Sequence, residues 1–153
     1  MKSRNVLAVL VMCVAAVTAY ANPVKIEGVP IKIGDSVEEV QKSLETKLDP
    51  QAVDYPNLIA NKRTELHLKT KGIWVFFEKG KVVTYRLDAP FPGSVGGLKL
   101  GDPASKIEKT LGPAIKHGTF GTSNTYTYYF DDITTTRFDV NRDDAIETIF
   151  FFK

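Results

Sequence analysis

Few side chains in this chain of 153 residues are suited to acid–base or metal-assisted chemistry. Histidine is the usual proton carrier near neutral pH, and only His67 and His117 are present. His67 stands between Leu66 and Leu68 in an alternating stretch, so it points away from the core those leucines enter. His117 reads as a loop residue in Lys116-His117-Gly118. The two lie 50 residues apart without a short His-x-His or HExxH spacing, so no metal site is expected. Asp131-Asp132 and Asp143-Asp144 pair carboxylates, but they flank strands without calcium-loop spacing and read as turn residues. The single cysteine, Cys13, falls inside an apolar N-terminal run. Beyond it there is no thiol for a nucleophile, a disulfide or a thiolate site. Neither a GxSxG elbow nor a phosphate-cradling glycine loop occurs. The pattern points away from catalysis and implies no cofactor.

Binding side chains are better represented. With Lys79-Gly80 as a two-residue hairpin turn, Glu78 opposes Lys81, Phe76 opposes Val83 and Trp74 opposes Tyr85. Trp74, Phe76, Val83, Tyr85 and Leu87 then share the face under a helix. The outer face keeps Ile73, Val75, Phe77, Val82, Thr84 and Arg86. In a second hairpin, Phe138 opposite Ile146 sets Arg137 against Glu147 and leaves Ile149 and Phe151 outside. Arg86 and Arg137, with Val75, Phe77 and Tyr128, form the expected protein-binding set, since Tyr and Arg are favoured at interfaces. Two alternatives stay open: the same surface packs one half of the molecule on the other, or it forms a homodimer.

The elements that must position these residues come in two similar sets. Ile31–Leu44 aligns with Leu98–Leu111 at a spacing of 67 residues, with identities at Lys32/Lys99, Gly34/Gly101, Asp35/Asp102, Lys42/Lys109 and Leu44/Leu111. Each segment reads as a glycine turn followed by a helix that Asp35 or Asp102 caps, with Glu38 completing a capping box in the first. Val37, Val40, Leu44 and Leu48 mark one apolar helix face, and Ala104, Ile107 and Leu111 the other. Three strands follow each helix: Arg63–Lys69, Gly72–Glu78 and Lys81–Leu87, then Thr125–Phe130, Thr134–Val140 and Ala145–Phe151. A second short helix fits within Asp49–Leu58. The expected fold is therefore α+β, a tandem repeat of a helix followed by a three-stranded antiparallel sheet, the helices packed on one sheet face. Its units are residues 22–90 and 98–153, joined by a linker at 91–97.

The N-terminus reads as an address. Lys2 and Arg4 precede the uncharged run Val6–Val17, too short to span a bilayer, and Ala19-Tyr20-Ala21 offers small residues for cleavage after Ala21. Residues 1–21 are thus expected to be a signal peptide, and the product periplasmic or secreted without stable membrane insertion. The formal net charge is +2, and Lys2 and Arg4 account for it. A balanced body lacks the cationic surplus of a nucleic-acid binder.

Two modules opened by x-Lys-x-Gly-Asp…Leu behind a signal peptide resemble the β-lactamase inhibitor protein architecture. A single unit also resembles the small outer-membrane assembly lipoproteins of the BamE type. The resemblance implies an architecture and carries no functional residue across. The leading expectation is a non-enzymatic periplasmic protein-binding module, an inhibitor or immunity protein against an envelope-acting or secreted enzyme or toxin. The alternatives are an envelope assembly or maintenance factor at the outer membrane or peptidoglycan, and a small-ligand carrier with a pocket between helix and sheet.

Overall fold

The computed structural model describes residues 24–53 and 63–153. The expected signal peptide, and residues 54–58 of the segment Asp49–Leu58 in which a short helix was sought, lie outside the described residues, and the described part of that segment holds a two-residue strand and no helix. In chain order the elements are β1 (Ile26–Glu27), α1 (Val37–Ser43), β2 (Gln51–Ala52), β3 (Arg63–Leu68), β4 (Ile73–Glu78), β5 (Lys81–Asp88), β6 (Ser94–Val95), α2 (Ala104–Leu111), β7 (Lys116–Phe120), β8 (Ser123–Tyr129), β9 (Thr135–Val140) and β10 (Ile146–Phe152). A 3₁₀ turn at Lys69–Lys71 joins β3 to β4.

The strands do not form two three-stranded sheets. They form one antiparallel sheet of eight strands in the order β2-β3-β4-β5-β10-β9-β8-β7, and β1 pairs with β6 separately. This overturns the expected tandem repeat of a helix plus a three-stranded sheet. The cause lies at the seam. The last strand of each half offers a long apolar edge with unpaired backbone groups, and such edges are satisfied by pairing. β5 and β10 pair with Leu87 opposite Ile149, Arg86 opposite Phe150 and Tyr85 opposite Phe151. Tyr85 and Phe151 stack with ring centroids 4.3 Å apart, so the joint is also packed. Two further strands, β2 and β7, close the outer edges. His117 therefore lies on edge strand β7, opposite Tyr126, and not in a loop.

Both Gly-Asp turns do the same local work. Gly34 (φ 94°) and Gly101 (φ 87°) adopt the left-handed backbone that other residues resist. Their N–H groups donate to the carbonyls of Val82 and Ile146, each at 2.8 Å. The Asp35 and Asp102 carbonyls accept in return from the N–H groups of Val82 and Ile146, each at 2.9 Å. Each turn is thus clamped onto the start of β5 or β10, which sets the following helix over the sheet. The aspartate carboxylates face backwards, accepting from Lys32 N–H at 2.7 Å and Lys99 N–H at 2.8 Å. They do not cap the helices. Ser36 caps α1 and forms the capping box with Glu39, one residue later than the sequence reading, while Pro103 stands at the start of α2 without a side-chain cap.

One core serves the whole sheet. Val40 of α1, Leu44 just beyond its end, and Ala104 and Ile107 of α2 are buried with Ile73, Val75, Phe77, Tyr85, Leu87, Phe138, Ile149 and Phe151 in a single apolar cluster. Helices and the β1–β6 pair lie on this side of the sheet. Among the described residues no helix is long and apolar enough to cross a membrane.

Candidate functional site: an aromatic–guanidinium row on the open sheet face

A bulge decides which side chains reach the uncovered face. Lys79 (φ 51°) and Gly80 (φ 72°) make the expected two-residue turn, and Glu78 opposes Lys81. The register then slips. Phe77 pairs with Val82 but Phe76 pairs with Thr84, so Val83 is the extra residue. Beyond a bulge, every pairing is displaced by one and faces exchange. Trp74 therefore pairs with Arg86, and Val75 with Tyr85. A second irregularity between Ile146 and Thr148 places Phe138 opposite Ile149 and Arg137 opposite Phe150.

The consequence is a row that crosses the open face through adjacent registers: His67 on β3, Trp74 on β4, Arg86 on β5, Phe150 on β10 and Arg137 on β9. Phe120 reaches in from edge strand β7. The rings of His67 and Trp74 stack at 3.3 Å. The Arg86 guanidinium lies 4.5 Å from the Trp74 ring and 6.0 Å from Phe150. Arg137 lies 4.6 Å from Phe150 and 4.7 Å from Phe120. π-systems and cations thus alternate, each such contact contributing about 0.5–1 kcal/mol at an exposed site.

Each arginine is also held edge-on by the aspartate two residues later. Arg86 Nη2 donates to Asp88 Oδ2 at 2.6 Å. Arg137 grips Asp139 with two bonds, from Nε at 2.6 Å and from Nη2 at 2.8 Å. At Arg137 the fork geometry fixes the guanidinium plane, while Arg86 is held by its single bond, and both pairings cancel the local charge. Burial pushes the Asp139 carboxyl above its usual range, against the pull of Arg137. Burial likewise lowers the His67 pKa, an effect larger than the opposing influence of Asp88, so the imidazole stacks on Trp74 in its neutral form near pH 7.

The sequence-derived set divides between the two faces. Arg86 and Arg137 occupy the open face. Val75 and Phe77 are fully buried and Tyr128 is 6% exposed, all on the helix side. Tyr128 donates from its hydroxyl to the Gly112 carbonyl at 2.9 Å, tying β8 to the end of α2. These three belong to the core and cannot touch a partner there. Ile149 and Phe151 are buried as well. Arg137 meets Phe150 and Asp139 in place of Glu147, which accepts from the Ser123 hydroxyl. Sequence reasoning missed Phe120 and Phe150 and put Trp74 under the helix. The repeated Arg-x-Asp, Arg86-Leu87-Asp88 and Arg137-Phe138-Asp139, is the signal that could have found the row.

The remaining polar clusters are structural. The Asp131 carboxylate accepts from the N–H groups of Ile133 at 2.9 Å and Thr134 at 2.6 Å, closing the β8–β9 turn. Asp143 and Asp144 sit in the β9–β10 turn, where the Asn141 side chain accepts from Asp143 and Ala145. Among the described residues no three His, Cys, Asp or Glu side chains gather as a metal site.

Comparison with known proteins gives a likeness of fold. An extracellular protein containing a SCP domain from Bacillus anthracis str. Ames is similar with a TM-score of 0.57 at 8% identity, over 79% of this chain and 44% of that one. The chain therefore spans less than half the length of that protein. A DUF4309 family protein (YjgB) from Bacillus subtilis subsp. subtilis str. 168 aligns with a TM-score of 0.49 at 15% identity, over 82% of each chain. Neither is a β-lactamase inhibitor protein or a BamE-type lipoprotein. No family model and no curated protein matches the chain.

Proposed function

We propose that this chain is a non-enzymatic, exported protein-binding module that docks a partner protein on the open sheet face, in the manner of an inhibitor or immunity protein. The observation that carries the reading is the row His67–Trp74–Arg86–Phe150–Arg137–Phe120. From β3 to β7 it crosses seven strands, roughly 30 Å at about 4.8 Å per strand. That width suits a standard interface of about 800 Å² per partner. Trp and Arg dominate binding energy where they are held rigidly, and here stacking and the Asp88 and Asp139 pairs hold them in advance of binding. Because those pairs neutralise the guanidinium charge, recognition rests on flat contact and stacking. Export rests on the N-terminal pattern, Lys2 and Arg4 ahead of an apolar run and Ala19-Tyr20-Ala21, with a periplasmic or secreted product released after Ala21.

Sedimentation equilibrium combined with affinity capture tests the reading. The protein should be a monomer, and wild type should retain a partner from envelope extract that Arg86→Ala/Arg137→Ala does not. A dimer dissolved by the same double substitution would instead assign the face to self-association.

A further inference from the structure

On the covered side of the sheet, a cavity of about 440 Å³ lies between the N-terminal segment and the β8–β9 turn. Its volume falls within the roughly 300–1,000 Å³ of small-molecule sites. Val29, Ile31, Phe130 and Ile133 contribute apolar wall, and Tyr85 and Asp131 are among the few polar side chains that reach it. Tyr85 decides what such a site would hold. Buried tyrosine hydroxyls normally find a partner, as Tyr128 does at Gly112. Tyr85 is only 2% exposed, yet none of the side-chain hydrogen bonds among the described residues involves its hydroxyl, and the residue lines the cavity. Its ring is fixed flat against Phe151, so the phenol cannot swing away to a partner elsewhere. The hydroxyl is not among the fully buried side-chain atoms that lack a partner, so it keeps accessible surface where the residue lines the cavity, and a ligand bearing one hydrogen-bonding atom would pair with it there.

Charge narrows the class. Lys32 and Asp131 both line the cavity, so its ionised groups balance, and a charged ligand would meet a like charge as well as an opposite one. We infer that the cavity is a binding site for a small uncharged molecule with an aliphatic body and a single hydroxyl or carbonyl that hydrogen-bonds to Tyr85. This site lies on the opposite side of the sheet from the aromatic–guanidinium row and does not depend on it.

Fluorescence titration with the neutral apolar dye N-phenyl-1-naphthylamine, followed by displacement with 1-decanol, tests the inference. Wild type should bind the dye saturably at one per chain. Ile133→Trp, at a half-exposed turn residue whose replacement leaves the core intact, should fill the cavity and weaken the dye at least tenfold. Tyr85→Phe should keep dye affinity within twofold while 1-decanol displaces it at least fivefold less well. Absence of saturable dye binding, dye affinity indifferent to Ile133→Trp, or equal decanol displacement in wild type and Tyr85→Phe would each overturn it. Circular dichroism of both variants must match wild type, and Ile133→Glu serves as the second cavity variant should Ile133→Trp fail to fold.

Discussion

The two faces of the eight-stranded sheet are built from the same residue types and do opposite work. On the covered face, Phe77, Phe138 and Phe151 are wholly removed from water and touch other apolar side chains. On the open face, Trp74, Phe120 and Phe150 are spaced by Arg86 and Arg137 and keep part of their surface in solvent. Aromatic content alone therefore does not separate core from surface. What separates them is the company: aliphatic neighbours mark the core, and arginines clamped by aspartates mark the face left available.

The largest expected effect sets the faces against each other. Phe77→Ala should cost about 3–5 kcal/mol by urea unfolding, as for a fully buried aromatic. Trp74→Ala should cost only about 1–2 kcal/mol, the sum of its stacking and cation–π contacts. A reversal of that order would mean the faces are assigned the wrong way round.

A smaller difference is expected between the two helix starts. Ser36→Ala removes a reciprocal capping box and should cost about 1 kcal/mol, whereas Pro103→Ala removes no capping bond and should stay within about 0.5 kcal/mol. Of the aspartates beside them, Asp35→Ala should cost about 1 kcal/mol for the lost bond to the Lys32 N–H, and Asp102→Ala a few tenths more, about what an exposed ion pair adds, because its carboxylate also pairs with Lys106 at 2.8 Å. Acid should discriminate further. Burial pushes the Asp102 carboxyl up, but Lys106 and the Lys99 N–H pull harder and the net direction is down. A carboxyl with a lowered folded pKa stabilises above its unfolded value, about 3.9, and that contribution disappears as pH falls through the folded pKa. The penalty of Asp102→Ala, measured by thermal melting, should therefore shrink below about pH 4.

The smallest effect belongs to His67. Its pKa is lowered in the fold by burial, so the unfolded chain takes up the proton first on acidification. Stability from this group is present above about pH 6.5, the unfolded value, and is lost as pH falls from there toward the folded pKa. Trp74 fluorescence should be quenched when the stacked imidazole becomes charged, with a midpoint below 6.5 that is absent in His67→Gln.

Much of the chain was legible before the structure. The limits of β3, β4, β5, β8, β9 and β10 were read to within a residue or two because these strands are β-branched and aromatic between clear turns, and Lys79-Gly80 announced its own geometry, whereas β1, β2, β6 and β7 were not read as strands. The faces were not legible, for a local reason. Val82-Val83 and Phe150-Phe151-Phe152 are uninterrupted apolar runs in which no alternation marks the inward residue, so a bulge at Val83 is as compatible with the sequence as a straight ladder. The burial of Tyr85 and Leu87 beside Phe151 and Ile149 decides it, and that depends on β5 meeting β10 across a separation no local pattern spans. The same long-range pairing turned two expected sheets into one. It also moved Val75, Phe77 and Tyr128 from the expected binding set into the core while leaving Arg86 and Arg137 outside.

Isothermal titration calorimetry of the captured partner with wild type and with Arg86→Ala/Arg137→Ala addresses the open face most directly. Removing both arginines breaks the row at two points while leaving the buried face untouched. The account predicts at least a tenfold loss of affinity, about 1.4 kcal/mol, with the circular dichroism spectrum unchanged. Unaltered affinity in a folded double variant would contradict it and move the docking surface off the sheet.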